Sequence, residues 1–326
     1  MRKLTKRVTL FTVILLLHNN GYAQETTLNS INVESADSML FTYSVPKWHE
    51  VVTNIPGDFV VAGKTLFSKK SLAPVFIIAG STIALYMFDQ PLVDGAQQFS
   101  RYVGLDSKSR FETLINIGDL KVMERPGNLN TAFYFIGEGW TSVLIFCGIG
   151  AHGLIANNEK ELRILSQAFE GYIQIGVISQ LLKYSIGRET PNRASVAGGD
   201  FRPFPSFTEF QKNKSRYDAM PSGHMITMSF AVTLLSEHYP DNRWIRPVGY
   251  SLMGICAFSM LNNGVHWASD YPLGFGIGYL FAKTVAKRGR VFQSFTSKPD
   301  NILNQVELSP AIMFDNSVGL RLVLRL

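Results

Sequence analysis

Six apolar stretches, at 72–88, 132–155, 168–186, 222–235, 248–261 and 273–285, alternate with polar turns along the chain. They are too long for strands and most carry Gly and Ala, so the pattern predicts helices. From 24 to 70 the sequence is polar and mixed, without a sustained period. Past 290 it turns polar again, and the closing "GLRLVLRL" alternates Leu or Val with other residues, as a short strand does. The expected fold class is all-α: a bundle of about six apolar helices followed by a short, two-stranded β-like appendage. The boundaries read from the pattern are a leader at 1–23, a polar segment at 24–70, a helical domain at 71–290 and an extension at 291–326.

Two architectures fit these helices, a membrane bundle and a water-soluble bundle whose helices are apolar nearly all round. Glu138, Glu170, Gln174 and Gln180 fall inside the apolar stretches, where each is costly against lipid. The 46% apolar content is ordinary for a globular protein and low for a chain lying mostly in a bilayer. At the start, "MRKLTKR", "VTLFTVILLL" and the small Ala23 form the charged, apolar and cleavable parts of an export signal. An uncleaved anchor is the other reading of that leader. Either sends the chain out of the cytoplasm, to the cell envelope, as an inner-membrane protein with a periplasm-facing site or as a periplasmic one. A cleaved signal and six spans would set the turn after the third stretch in the cytoplasm. "KTVAKRGR" and the pairs Lys69, Lys70 and Arg243, Arg246 favour the opposite orientation.

The net charge of +6 suits an anionic partner such as a phosphate ester or a lipid headgroup. The basic residues form no long run, so nucleic acid is not an expected partner. Cys147 and Cys256 both lie in apolar stretches, as buried thiols do, and no metal site is indicated.

Three turns carry candidate chemistry. In "AMPSGHMITMSF", Pro221 suits a first helical turn. Gly223 lets backbone approach a ligand, and the N–H groups of Ser222, Gly223 and His224 would point at an anion on the positive end of the helix. In "LLKYSIGRETPN", Lys183 and Arg188 are cations at a helix end, where anion binding competes with snorkelling. In "SMLNNGVHWASD", His266 and Asp270 stand four apart. If all six helices span, these turns gather on one side, which puts an active site at one end of the bundle. His49, His152 and His238 have no such setting and read as structural or solvated, and His18 belongs to the leader.

Together the turns resemble the signature of the type 2 phosphatidic acid phosphatase and vanadium haloperoxidase superfamily: Lys183 with Pro191, then Pro221 to His224, then Ser259, His266 and Asp270. The resemblance spans residues 72–285, and the middle motif is the specific one. It implies a helical bundle and a metal-independent phosphatase, with His266 as nucleophile, Asp270 as its partner and His224 as general acid and base. It further implies phosphate binding by Lys183, Arg188, Ser222 and Gly223. Two arginines usual in the family are absent, for Thr190 precedes Pro191 and Met260 follows Ser259. Arg188, Arg193, Arg202, Asn262 and Asn263 are the candidate replacements, and Thr190, Ser259, Asn262 and Asn263 are weaker candidates for the site.

The substrates so implied are phosphate monoesters or diphosphates, with lipid phosphates of the envelope foremost: phosphatidic acid, a polyprenyl diphosphate or a glycolipid phosphate. No cofactor is expected, vanadate entering only as a phosphate mimic. Two alternatives stay open, a phosphate- or lipid-binding relative impaired in catalysis and a vanadium-dependent haloperoxidase.

Overall fold

The computed structural model describes residues 41–117, 120–292, 306–312 and 318–324; the expected leader at 1–23 lies outside them. The elements are β1 (Phe41–Tyr43), α1 (Glu50–Thr53), α2 (Ile55–Leu66), α3 (Leu72–Tyr86), α4 (Asp89–Tyr102), β2 (Phe111–Ile117), β3 (Leu120–Pro126), α5 (Leu129–Phe135) and α6 (Gly139–Ala156). Then follow α7 (Glu159–Ile186), α8 (Phe207–Lys212), α9 (Gly223–His238), α10 (Ile245–Asn263), α11 (Asp270–Ala286), β4 (Arg290–Phe292), β5 (Val306–Ile312) and β6 (Val318–Leu324). The fold is all-α in its body. Among the described residues the sheets are antiparallel strand pairs, β1 with β4, β2 with β3 and β5 with β6. The last pair is the expected two-strand appendage.

The core lies where α6, α7, α9 and α11 meet, around Phe146, Ile164, Ile175, Phe230, Leu234 and Phe281. Phe230 is fully buried, so truncating it to Ala costs about 3–5 kcal/mol. α9 and α11 pack closely because Gly278 has no side chain, and a Cβ there would lie 2.2 Å from the Ile226 carbonyl. Local chemistry sets the helix ends. The Asn158 side chain accepts from Glu161 N–H at the start of α7, whose first turn holds Glu159 and Glu161 against the helix dipole.

Several elements depart from the hydrophobic pattern. The polar segment 24–70 contains α1 and α2, and α2 contributes Ala62 and Phe59 to the core. The stretch 132–155 is two helices, because the chain turns at Ile136–Glu138, with the backbone of Glu138 extended at the N-cap position of α6. α4 is polar by composition, yet Asp89, Val93, Ala96 and Ser100 are all buried on one helical face. Pro221 precedes the N-cap Ser222, two positions before Gly223, the first residue of the helix it was expected to begin.

Candidate active site

The three chemistry-bearing turns meet at one end of the bundle, and backbone hydrogen bonds join them. Ala219 N–H donates to the Arg188 carbonyl (3.1 Å), Thr190 N–H to Ser215 (2.9 Å), Asn192 N–H to Gly264 (2.8 Å) and Ser222 N–H to Asp270 (3.1 Å). Two glycines make these crossings possible. Gly187 and Gly264 end α7 and α10 with φ of 62° and 64°, a region L side chains avoid. A Cβ on Gly187 would also collide with the Arg202 backbone.

Between the turns lies a cavity of about 540 Å³ lined by Lys183, Gly223, His224 and His266 among others. His266 Nδ1 donates to the Ala219 carbonyl at 2.7 Å. A carbonyl only accepts, so Nδ1 carries a proton, and in the neutral ring the lone pair is on Nε2. Asp270 Oδ2 stands 3.5 Å from the same Nδ1 and accepts from Trp267 N–H at 2.7 Å. The expected Asp270 contact is thus secondary, and the Ala219 carbonyl sets the tautomer. The rings of His266 and His224 are 6.2 Å apart.

His224 rests on Tyr134, ring centroids 4.2 Å apart, and its Nε2 is 3.6 Å from Glu138 Oε1. Burial lowers the His224 pKa from the ordinary histidine value, and Glu138 opposes that effect. The contact with His224 holds the Glu138 carboxyl below its ordinary value, against burial. Lys183 is buried with its Nζ 3.9 Å from Asp218, and burial lowers its pKa while Asp218 raises it. A Cβ on Gly223 would sit 3.9 Å from Lys183 Nζ, so the missing side chain leaves room for a ligand at that amine.

Not every expected residue reaches the cavity. Arg188 is fully buried and spends all its N–H donors on Gly198, Ser269, Asp270 and Asp89, so it is not a replacement for the missing arginines. Ser222 is also fully buried. Its N–H is taken by Asp270, and its hydroxyl caps Met225 N–H and faces Met260 Sδ. The open donors of the α9 start are therefore those of Gly223 and His224, which have no intrahelical acceptor. Ser259 donates to the Asn130 carbonyl at 2.7 Å, Asn262 to Asp106, and Asn263 accepts from Asn130; none of the three lines the cavity. Thr190 does line it, with its hydroxyl on Ser215 and Asn192. Arg193 does not, and Arg202 pairs with Glu189 and Asp200.

Residues not anticipated from the sequence are Lys214, Asn192, Asp218, Tyr134 and, as a cavity residue, Glu138. Lys214 was discoverable in the basic run Lys212 to Arg216 just before the Pro221 motif. Tyr134 and Glu138 lie far upstream of the motifs and carry no spacing signal. Among the described residues, no three His, Cys, Asp or Glu side chains converge as metal ligands do.

The solved structure described as the first transmembrane PAP2 type phosphatidylglycerolphosphate phosphatase from Bacillus subtilis is 15% identical to the chain. The alignment covers 73% of this chain and 94% of that one, with a TM-score of 0.38. No curated protein matches significantly. The model of the PAP2 superfamily matches residues 165–291, which hold all three turns. That segment, carrying the cavity's histidines and Lys183, is the part of the chain that is similar to the PAP2 superfamily.

Proposed function

We propose that the protein is a phosphatase acting on phosphate monoesters or diphosphates through a phosphohistidine on His266. One observation carries the proposal: the bond from Nδ1 to the Ala219 carbonyl puts the lone pair of the neutral His266 ring on Nε2, in a residue that lines a cavity with Lys183, Gly223 and His224. The Nε2 lone pair attacks phosphorus, and the bond to the leaving oxygen breaks as His224 gives that oxygen a proton. His224 then takes a proton from water, which attacks phosphorus and returns the electron pair to Nε2. Asp270 stabilises the imidazolium between the two steps. Lys183, Lys214 and the N–H groups of Gly223 and His224 offset charge on the equatorial oxygens.

Lipid phosphates at the cell envelope are the favoured substrates. α6 is apolar and long enough to cross a membrane, with mean hydropathy 1.5 and only 22% of that window buried. α3 exposes Phe76, Ile77 and Ile83. These faces support membrane association, and the leader at 1–23 supports export.

The test measures phosphate release and covalent labelling by a phosphate-labelled substrate. Wild type releases phosphate, His266→Ala neither labels nor releases, and His224→Ala takes label slowly and retains it. Equal release by all three refutes the proposal. A second reading, phosphate binding without turnover, draws on the engagement of Arg188 elsewhere. Vanadate or lipid phosphate binding with no release by wild type is its signature.

A further inference from the structure

The largest investment of buried charge near the cavity is not in the cavity. Asp89, Arg188, Ser269 and Asp270 are all completely buried. Arg188 Nη2 donates to Asp89 Oδ2 and Nη1 to Asp270 Oδ1, each at 2.6 Å. Asp89 also accepts from Ser269 N–H at 2.9 Å and from the Ser269 hydroxyl at 2.5 Å, and that hydroxyl in turn accepts from Arg188 Nη1 at 2.7 Å. Tyr86, Phe201 and Trp267 surround the guanidinium at 5.1, 5.2 and 5.3 Å from their ring centroids.

Two features tie this network to the reaction rather than to packing alone. First, its bonds converge on the turn from His266 to Asp270: Asp89 fixes Ser269, Arg188 fixes Asp270 Oδ1, and Oδ2 fixes Trp267 N–H. Second, Val93 is one turn beyond Asp89 on the same face of α4 and packs in one cluster with Ala219 and Trp267. Ala219 supplies the carbonyl that holds His266 Nδ1. Both supports of the nucleophile therefore rest on α4, which lies before the family-matched residues 165–291.

We propose that Asp89 is a positioning residue for His266, acting through Ser269 and through Arg188 and Asp270, so that α4 is part of the catalytic unit. The inference rests on the phosphohistidine reading above. Asp89→Asn keeps the shape of the side chain and removes its charge. Displacing a reacting group by about 1 Å costs on the order of 100-fold in rate, so kcat falls by that order while KM changes little.

The full-length chain is compared as wild type, Asp89→Asn and Asp58→Asn. Asp58 is equally buried in α2 and paired with Arg288, outside the cavity lining. The expected result is a similar drop in melting temperature for both variants, with the kcat loss confined to Asp89→Asn. Unchanged kcat in Asp89→Asn, or an equal loss in both, overturns the proposal. Should Asp89→Asn not fold, Ser269→Ala removes the hydroxyl's bonds to Asp89 and Arg188 with little change of volume. It must lower kcat at constant KM, and wild-type kcat overturns the proposal. If wild type releases no phosphate, the functional reading alone fails. Vanadate affinity then tests Asp89, and wild-type affinity in Asp89→Asn overturns the positioning role.

Discussion

Restoring an arginine at 260 and at 190 should have opposite outcomes. Met260 has no exposure and packs with Met225, Met253 and Cys256, its sulfur 3.6 Å from the Ser222 hydroxyl. A guanidinium placed there displaces the Met260 sulfur from a cluster of sulfur and hydrocarbon. An uncompensated buried charge costs roughly 3–5 kcal/mol, out of a total stability of about 5–15 kcal/mol. For a domain of this size that is a fall of roughly 10 °C in melting temperature. Thr190 lines the cavity instead. Thr190→Arg gives up a hydroxyl bond to the Ser215 carbonyl, worth about 1 kcal/mol. In return it offers phosphate a charge-assisted bond worth roughly 1.5–3 kcal/mol, or about tenfold to a hundredfold in affinity. Differential scanning fluorimetry and vanadate inhibition measure the two effects. Met260→Arg with wild-type melting and tighter vanadate inhibition would refute the reasoning, since it would mean that the side chain reaches phosphate from position 260.

Lys214→Met, which removes a cavity-lining cation, should weaken vanadate inhibition by roughly tenfold or more and leave melting nearly unchanged. Glu138→Gln removes the group that opposes the effect of burial on His224, so the His224 pKa falls further. The basic limb of the kcat–pH profile, which requires protonated His224, then moves to lower pH; a shift to higher pH contradicts the assignment. At the far end of the bundle, burial pushes Glu170 from 4.5 up to about 7. A raised carboxyl pKa disfavours ionisation in the folded state, so stability is lost as pH rises from 4.5 through 7. Glu170→Gln should therefore gain on wild type by roughly 3 kcal/mol between pH 4 and pH 8, read by urea denaturation at the two pH values.

Period and length carried the large apolar helices, because a helix buried on most sides leaves an unbroken apolar run. They did not carry α4, whose burial rests on Asp89 and Ser100 as much as on Val93 and Ala96. A buried carboxylate looks like a solvated one until its partner is known, and Arg188 is 99 residues away. The same blindness explains the misreading of Arg188. Cations near a phosphate motif suggest phosphate ligands, but a guanidinium can equally be spent on buried carboxylates.

The three motifs taken together, through the family signature they resemble, were enough to single out Lys183, Gly223, His224, His266 and Asp270, because short motifs are local and their chemistry is written in the side chains. Which acceptor holds His266 Nδ1, which lysine joins Lys183 and which carboxylate faces His224 were decided only by tertiary structure. Those contacts join Ala219 to His266 and Glu138 to His224 across large separations in sequence. Hydrogen-bond geometry between such partners is set by how the helices pack, and no local pattern encodes it.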